Sequence, residues 1–362
     1  MALIGTVSAP NDFGFKNRII NGAMVIDQRN VGASSSAASG YPVDRFAIAP
    51  QAAGYITWGQ NLGSVTPPNG FVNYLGFNTT TTYSLGAGDS FRCEHLIEGY
   101  NVADLGWGTA NAQSITISFW TRSSLTGTHA ATLQNSARSR SYPFTWTINS
   151  ANTWEYKTIT IAGDTSGTWL TTNDIGIRIN FNLGCGATGS GTAGSWSSSN
   201  FVSATGAVSV VGTLNANLYI TGVQLEKGST ATSFDYRSYT TELSLCKRYC
   251  HVFRGASDAS FSNIGLGMCF DNTGFQCDIP LPVQMRVQPT VTYSAVGDLA
   301  VHLPGLVRVT ATAVAMSSSQ SGPQSAAVSI TVGSNGNIVS HKCGHFEFNN
   351  STTGWLALAA EM

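Results

Sequence analysis

The chain has 362 residues, a formal net charge of −1, 42% hydrophobic residues and only 10% charged ones, where a soluble domain ordinarily carries about 25%. Near-neutrality excludes the basic footprint that nucleic acid or an anionic membrane surface requires, and no run of about 18 apolar residues is present to insert into a bilayer. Ser, Thr, Asn and Gly replace the missing charge while Trp, Phe, Tyr, Ile and Val stay plentiful, so the chain has enough apolar surface to fold, and its length suits two domains.

Residues 1–18 read as a short N-terminal arm. The opening MALIGTVSAPNDFGFKN lacks the basic and apolar regions of a signal peptide; the expectation is a protein kept in the cytosol or one that leaves by a route needing no signal, as a particle component freed by lysis does. Beyond the arm, Ala33 to Gly40 is small and polar and reads as a surface loop. Strand alternation follows. Phe91, Cys93, His95 and Ile97 alternate with Arg92, Glu94 and Leu96, and Ile115, Ile117 and Phe119 with Thr116, Ser118 and Trp120. Ile175, Ile177, Ile179, Phe181 and Leu183 alternate with Gly176, Arg178, Asn180 and Asn182, which predicts a strand with one side on the core and one polar side in water. Gly/Ser/Thr-rich loops separate these segments, notably Gly184 to Ser199.

Tyr219, Thr221, Val223 and Leu225 form one face of a further strand, with Leu218, Ile220 and Gln224 on the other, and a turn at Gly228 to Thr232 stops the pattern. A helix is predicted over Thr240 to Cys250, where Leu243, Cys246, Tyr249 and Cys250 recur at three- and four-residue spacing and Glu242 stands near the N-terminus. A helix of about eleven residues is marginal alone and needs a packing partner. A smaller β region closes the chain. Val307, Val309, Ala311 and Ala313 alternate with Arg308, Thr310, Thr312 and Val314, and Val328, Ile330 and Val332 mark another half-buried strand.

Many strands separated by polar turns, with one helix, predict an all-β protein. Its parts are a jelly-roll β-sandwich at residues 19–237, a helical connector at 238–254 and a smaller C-terminal β domain at 255–362. No internal repeat of about 20 to 50 residues occurs, which excludes a β-helix or a propeller. Seven cysteines are an odd number and read as free, mostly buried thiols. Cys269 and Cys277 flank a hairpin signal, FDNTGFQ; pairing symmetric about Thr273 would set the two thiols opposite each other, where a disulfide is geometrically allowed but a reducing compartment opposes it.

Three groups of residues carry candidate chemistry. In HKCGHFEF, His341, Cys343 and His345 project to one side of a strand and are candidate zinc or iron ligands. Strand rise separates the first and last by about 13 Å, so one chain does not close such a site by itself. Trp107, Trp169 and Trp196 lie in or beside Gly/Ser/Thr loops and are candidate platforms for a sugar ring; packing in the core is the competing role for each. Asp44, Asp89 and Asp235 are candidates for a structural calcium. No Gly-x-Ser-x-Gly, helical histidine pair or P-loop occurs, no Gly-x-Gly-x-x-Gly leads from a strand into a helix, and nothing marks a glycosidase carboxylate pair, so the expectation is a protein that is not an enzyme.

Gly222 to Glu226, Gly228, Ala231, Phe234, Arg237 to Tyr239, Glu242, Leu243, Leu245, Cys246, Arg248 and Tyr249 together resemble the final strand and exit of a jelly-roll module of bacteriophage tail-fibre and appendage proteins; Ser233 stands where that pattern often has proline. Asn17, Ile20 to Gly22, Asp27 to Arg29, Tyr41, Asp44, Arg45 and Phe46 resemble its opening, and SITISFWTRSSLTGTH and NTWEYKTITIAGDTSGTW its middle. The resemblance covers roughly residues 17–250, and the closing WLALAAEM is similar to the last strand of phage fibre tips. It implies a structural virion protein assembled in the host cytoplasm, a tail-fibre-like or head-fibre-like homotrimer in contact with other virion proteins. Its jelly roll would be carbohydrate-binding-like and adhere to a host-surface glycan. A trimer axis would also gather copies of His341, Cys343 and His345 around a metal. A capsid decoration or cement protein is the alternative, and a glycan depolymerase the second.

Overall fold

The computed structural model describes residues 16–256, 261–303, 305, 308–333 and 338–362. The expected arm lies outside the described residues except for its last three positions, 16–18, and so does Val307. The chain divides into two compact units, residues 1–238 and 239–362, both of them β structure.

The first unit is a two-layer jelly-roll sandwich. Its strands are β1 (Gly40–Val43), β2 (Phe46–Ala49), β3 (Ile56–Gln60), β4 (Leu75–Thr79), β5 (Ser90–Glu98) and β6 (Ile115–Ser123). They continue with β7 (Gly127–Gln134), β8 (Ser141–Ile148), β9 (Glu155–Ile161), β10 (Ile175–Cys185), the short β11 (Ser190–Gly191) and β12 (Ser203–Ala204), and β13 (Asn217–Lys227). One sheet has six strands in the order β1-β2-β5-β10-β7-β8, the other five in the order β3-β4-β13-β6-β9. The predicted alternation supplies most of the core; in β13 a bulge between Thr221 and Gln224 brings Leu225 to the side of Leu218 and Ile220, where plain alternation sets them on opposite sides. Phe91, Cys93, Ile115, Ile117, Phe119, Ile177, Ile179, Phe181, Leu183, Leu218, Ile220 and Leu225 are all buried in one cluster between the layers. Side chains alternate across a pleated strand, so every second residue meets the opposite sheet.

The water-facing side predicted for β10 is not found. Asn180 and Asn182 are buried because the segment at residues 186–204 folds back over that side, with β12 packed over β7, β8 and β10. Most of the polar groups are paired there: Asn180 Nδ2 donates to Thr132 Oγ1 at 3.2 Å and to Gln134 Oε1 at 3.1 Å, and Gln134 Nε2 donates to Asn200 Oδ1 at 2.7 Å, while Asn180 Oδ1 is buried without a partner. Alternation reports which side is polar, and buried polar groups are tolerated once they are hydrogen-bonded.

The second unit opens with the helix α1 (Tyr239–Lys247). The predicted helix ran on to Cys250, but Tyr249 N–H closes a turn on Cys246 O and Cys250 begins β14 (Cys250–Arg254). Then come β15 (Asn263–Cys269), β16 (Gly274–Pro280), β17 (Thr290–Tyr293), β18 (Leu299–His302), β19 (Arg308–Met316), β20 (Ser325–Val332), β21 (Cys343–Phe348) and β22 (Trp355–Ala359). Six of them close a barrel in the order β15-β16-β20-β19-β18-β21, and β14, β22 and β17 form a small sheet. The WLALAAEM segment is its central strand, with Leu356 and Leu358 fully buried.

Two registers of the second unit differ from the sequence reading. In β19 a bulge between Ala311 and Ala313 shifts the pairing, so Ala311 and Val314 are buried while Ala313 is exposed. One extra residue swaps the two faces of everything after it. In the β15–β16 hairpin, Cys269 pairs with Phe275 and Cys277 with Gly267, so the two thiols are not opposite, and all seven cysteines are free. Asp271 sets the turn: its Oδ1 accepts from Thr273 N–H, Thr273 Oγ1 and Gly274 N–H at 2.7, 3.0 and 2.6 Å, an Asx turn that centres the hairpin one residue earlier than Thr273.

His251 of β14 gives the second unit an acid sensitivity. Its ring lies 4.4 Å from that of Phe253; burial, with the nearby Lys247 charge, brings its pKa down to about 4. The unfolded chain takes up this proton near pH 6.5 and the folded chain only near pH 4, so the unfolded state binds more protons between these values. The stability is whole above pH 6.5 and is lost as pH falls to 4. Discounted for partial exposure, the loss is about 2 kcal/mol. Amide-exchange protection factors in β14 and β22 should fall accordingly between pH 7 and pH 4, and His251→Phe should flatten that slope; an unchanged slope in the variant contradicts the assignment.

Candidate functional site

The three tryptophans chosen from the sequence come together. Trp107 and Trp169 pack edge to face at 4.7 Å, and Trp196 meets them at 5.3 and 5.4 Å. Trp107 and Trp169 are buried and Trp196 half-buried. Each indole N–H is satisfied by backbone: Trp107 Nε1 donates to Gln113 O at 2.7 Å, Trp169 Nε1 to Ser166 O at 3.1 Å and Trp196 Nε1 to Ala162 O at 2.8 Å. The edge-to-face contacts clamp three loops together, and Trp107 and Trp169 also line a cavity of ≈ 300 Å³ with Val102, Leu105 and Ile177. Asp164 anchors the clamp, accepting from Arg140 Nε at 2.7 Å and Arg140 Nη2 at 2.8 Å.

The proposed metal ligands do not share a strand face. β21 starts at Cys343, and His341 sits before it in a left-handed turn with φ of 65°. Cys343 is exposed, and the ring of His345 lies 6.0 Å from that of His302 on β18. Among the described residues no three of His, Cys, Asp and Glu converge as metal ligands. The aspartates are also scattered and face donors, the reverse of what a cation needs. Asp44 accepts from Gln28 N–H and Gln28 Nε2. Asp89 accepts from Gly86 N–H, and Asp235 lies 3.8 Å from Arg237.

The outer face of the five-stranded sheet offers something different. Trp120 on β6 and Tyr156 on β9 are directly opposite across the strand pair, with ring centroids 5.4 Å apart. They face away from the core because Ile117 and Phe119 take the inward positions. Phe71, Phe234 and Tyr236 form a second aromatic group beside them, at 5.1, 5.6 and 4.9 Å from one another. Between the two groups runs an open groove of ≈ 460 Å³, edged by the polar side chains of Asn69, Ser118, Thr232 and Ser233. Tyr156 is 44% exposed and Tyr236 59%.

The GVQLE segment builds the wall of this groove. Gln224 and Glu226 sit on the outer side of β13, in register with Ser118 and Thr116. Glu226 accepts from Thr232 N–H at 3.0 Å and Thr232 Oγ1 at 2.5 Å, while Gln224 Oε1 accepts from Asp235 N–H at 2.8 Å. These bonds lash residues 231–236 along the sheet and hold Phe234 and Tyr236 at the rim. Gly222, at a bulge in β13 with φ of 61°, completes the floor: a Cβ there would lie 2.6 Å from the Phe71 ring. From the other end, Asn17 Oδ1 accepts from Leu225 N–H at 3.1 Å and Arg237 donates to Ile19 O at 3.0 Å. The first and last segments of the unit are thereby stitched side by side.

Sequence reasoning overlooked Trp120, Tyr156 and Tyr236. A signal for Trp120 existed, a large aromatic among Thr116 and Ser118 on the polar side of an amphipathic strand. Tyr156 and Tyr236 join it only through strand pairing and the strap.

No protein-family model matches the chain, and no curated protein matches it. Among solved structures it is similar to the enzymatically active domain of tailspike protein 4 of bacteriophage CBA120, at 12% identity and a TM-score of 0.31, over 58% of this chain and 21% of that one. It is similar to a CBM4 structure, at 14% identity and a TM-score of 0.28, over 58% of this chain and 99% of that one. A third is TmCBM61 in complex with β-1,4-galactotriose, at 12% identity and a TM-score of 0.25, over 50% of this chain and 88% of that one. Overlap this partial transfers no activity to this chain.

Proposed function

We propose that the first unit is a glycan-binding module, and that the saccharide lies across Trp120 and Tyr156. The observation that carries this is the outward-facing pair of half-buried Trp120 and exposed Tyr156 on the sheet, facing a second aromatic group across an open groove with hydroxyl and amide groups at its edge. Sugar C–H faces pack on aromatic rings while their hydroxyls need hydrogen-bonding partners, and an apolar floor with a few placed polar groups is what a small-ligand site requires. The module binds and does not cleave.

We place it in a bacteriophage virion, as a homotrimeric tail-fibre-like or head-fibre-like appendage that adheres to the host surface. The sequence resemblance supports this reading. So does a surface poor in charge, which favours assembly, and so do Leu266, Met268 and Phe270, exposed along and just beyond β15 where further copies of the chain would cover them. Three weak sites on one trimer multiply into firm attachment.

A glycan array of bacterial surface saccharides, followed by calorimetric titration of the best ligand, tests the site. Trp120→Ala should weaken binding about tenfold or more, as loss of a central aromatic anchor does, whereas Trp196→Ala should leave affinity nearly unchanged. An array without ligands, or undiminished binding by Trp120→Ala, removes the proposal. Sedimentation as a monomer removes the trimer, and release of reducing sugar from host polysaccharide removes the non-catalytic reading.

A further inference from the structure

The other sheet of the first unit carries an unbalanced cluster of positive charge. Arg92 Nε donates to Glu94 Oε1 at 2.6 Å, and Arg92 Nη1 to Ser90 Oγ at 2.7 Å. Arg178, on the neighbouring strand β10, and Arg138, from the loop after β7, each hold a guanidinium nitrogen 3.8 Å from the same Glu94 carboxylate. Three guanidiniums therefore share one carboxylate on a largely covered part of the sheet. Arg178 Nε is buried with no acceptor, and desolvation together with the Arg138 and Arg92 charges disfavours the protonated guanidinium of Arg178, with Glu94 and Asp174 opposing them. Arg92 and Arg138 line a cleft of ≈ 620 Å³ whose facing wall holds Ser199, Asn200 and Phe201. Arg178 does not line it but adds to its field.

We propose that this cleft binds the carboxylate of an acidic saccharide, gripped by Arg92 and Arg138, with the sugar ring against Phe201 and its hydroxyls toward Ser199 and Asn200. A planar carboxylate matches the fork of a guanidinium, and it would supply the negative charge that the three arginines lack. The hydroxyl, amide and aromatic groups of the facing wall are those that suit a sugar, where a bare inorganic anion would use only the arginines. This site lies on the sheet opposite to Trp120 and does not depend on the aromatic groove.

The test is calorimetric titration of the full chain with trigalacturonate, neutral galactotriose and inorganic sulfate, at low and at high salt. Trigalacturonate should bind, more weakly as salt rises; the neutral trisaccharide should not compete for it. Arg138→Gln, a change at a part-exposed side chain, should weaken trigalacturonate about tenfold at an unchanged melting temperature; Arg92→Gln should weaken it too, with some loss of stability because Arg92 also pairs with Glu94. Trp120→Ala should leave this binding intact, which separates its failure from failure of the aromatic groove. Absence of trigalacturonate binding, equal binding by the neutral sugar in the Trp120→Ala variant, or indifference to Arg138→Gln overturns the proposal. Sulfate binding as tightly as trigalacturonate overturns the saccharide part of it.

Discussion

Phe119→Ala should lower the stability of the first unit by about 3–5 kcal/mol, the range for deleting a buried phenylalanine and leaving a cavity. Phe119 is fully buried on the five-stranded sheet. Its ring meets those of Trp146 and Phe181, both on the six-stranded sheet, at 5.0 and 5.6 Å with edge-to-face angles of 82° and 83°. The three rings are the joint between the layers, and neither sheet can slide inward to refill the space without losing its own register. In urea denaturation followed by tryptophan fluorescence the midpoint should drop sharply, and the melting temperature by about 10 °C. Phe119→Leu should cost roughly a third as much, because most of the volume stays. The control is Tyr156→Ala on the outer face of the neighbouring strand, which should cost little. If both alanine variants destabilise equally, Phe119 is not in the seam of a two-layer sandwich.

Asp164→Ala should cost a comparable amount, about 3–5 kcal/mol, for an electrostatic reason. The carboxylate is 2% exposed and accepts both hydrogen bonds of the Arg140 fork and one from Ser166 N–H at 3.0 Å. Removing it leaves a guanidinium largely out of water with nothing to neutralise it. Because Asp164 O also accepts from Gly108 N–H at 2.7 Å, the two loops that carry Trp107 and Trp169 should loosen together and their fluorescence should shift to the red. The double variant Asp164→Leu with Arg140→Met should recover much of the loss, since it removes both charges and keeps the volume. A double variant as unstable as the single one would show that the backbone contacts, not the ion pair, hold the clamp.

The tryptophan trio shows how far residue-by-residue reading reaches. Each of Trp107, Trp169 and Trp196 stood out alone as an aromatic in a polar loop, yet what each does depends on the other two. Their rings pack on one another, whereas Trp120 faces outward on the polar side of its strand, a position that was visible although its partner Tyr156 was not. The metal candidates failed on a local point. Alternation over HKCGHFEF assumes that the strand already runs at His341, and it begins at Cys343. The β15–β16 hairpin failed on another, since the side chain of Asp271 moved the turn and with it the partners of Cys269 and Cys277.

What the residues determined unaided was which segments are strands and, outside the bulged β13 and β19, which of their sides is apolar. Alternation with period two is a property of the backbone itself, and the hydrophobic effect gives it a direction wherever a strand has one apolar face. Tertiary structure alone decided which polar faces stay wet. On β10 a returning segment covers Asn180 and Asn182; on β6 and β9 a strap held by Gln224 and Glu226 stops at the rim and leaves Trp120 and Tyr156 open. The difference arises from contacts between residues distant along the chain, as between Gln134 and Asn200 or Glu226 and Thr232, and no local pattern encodes where a loop comes to rest.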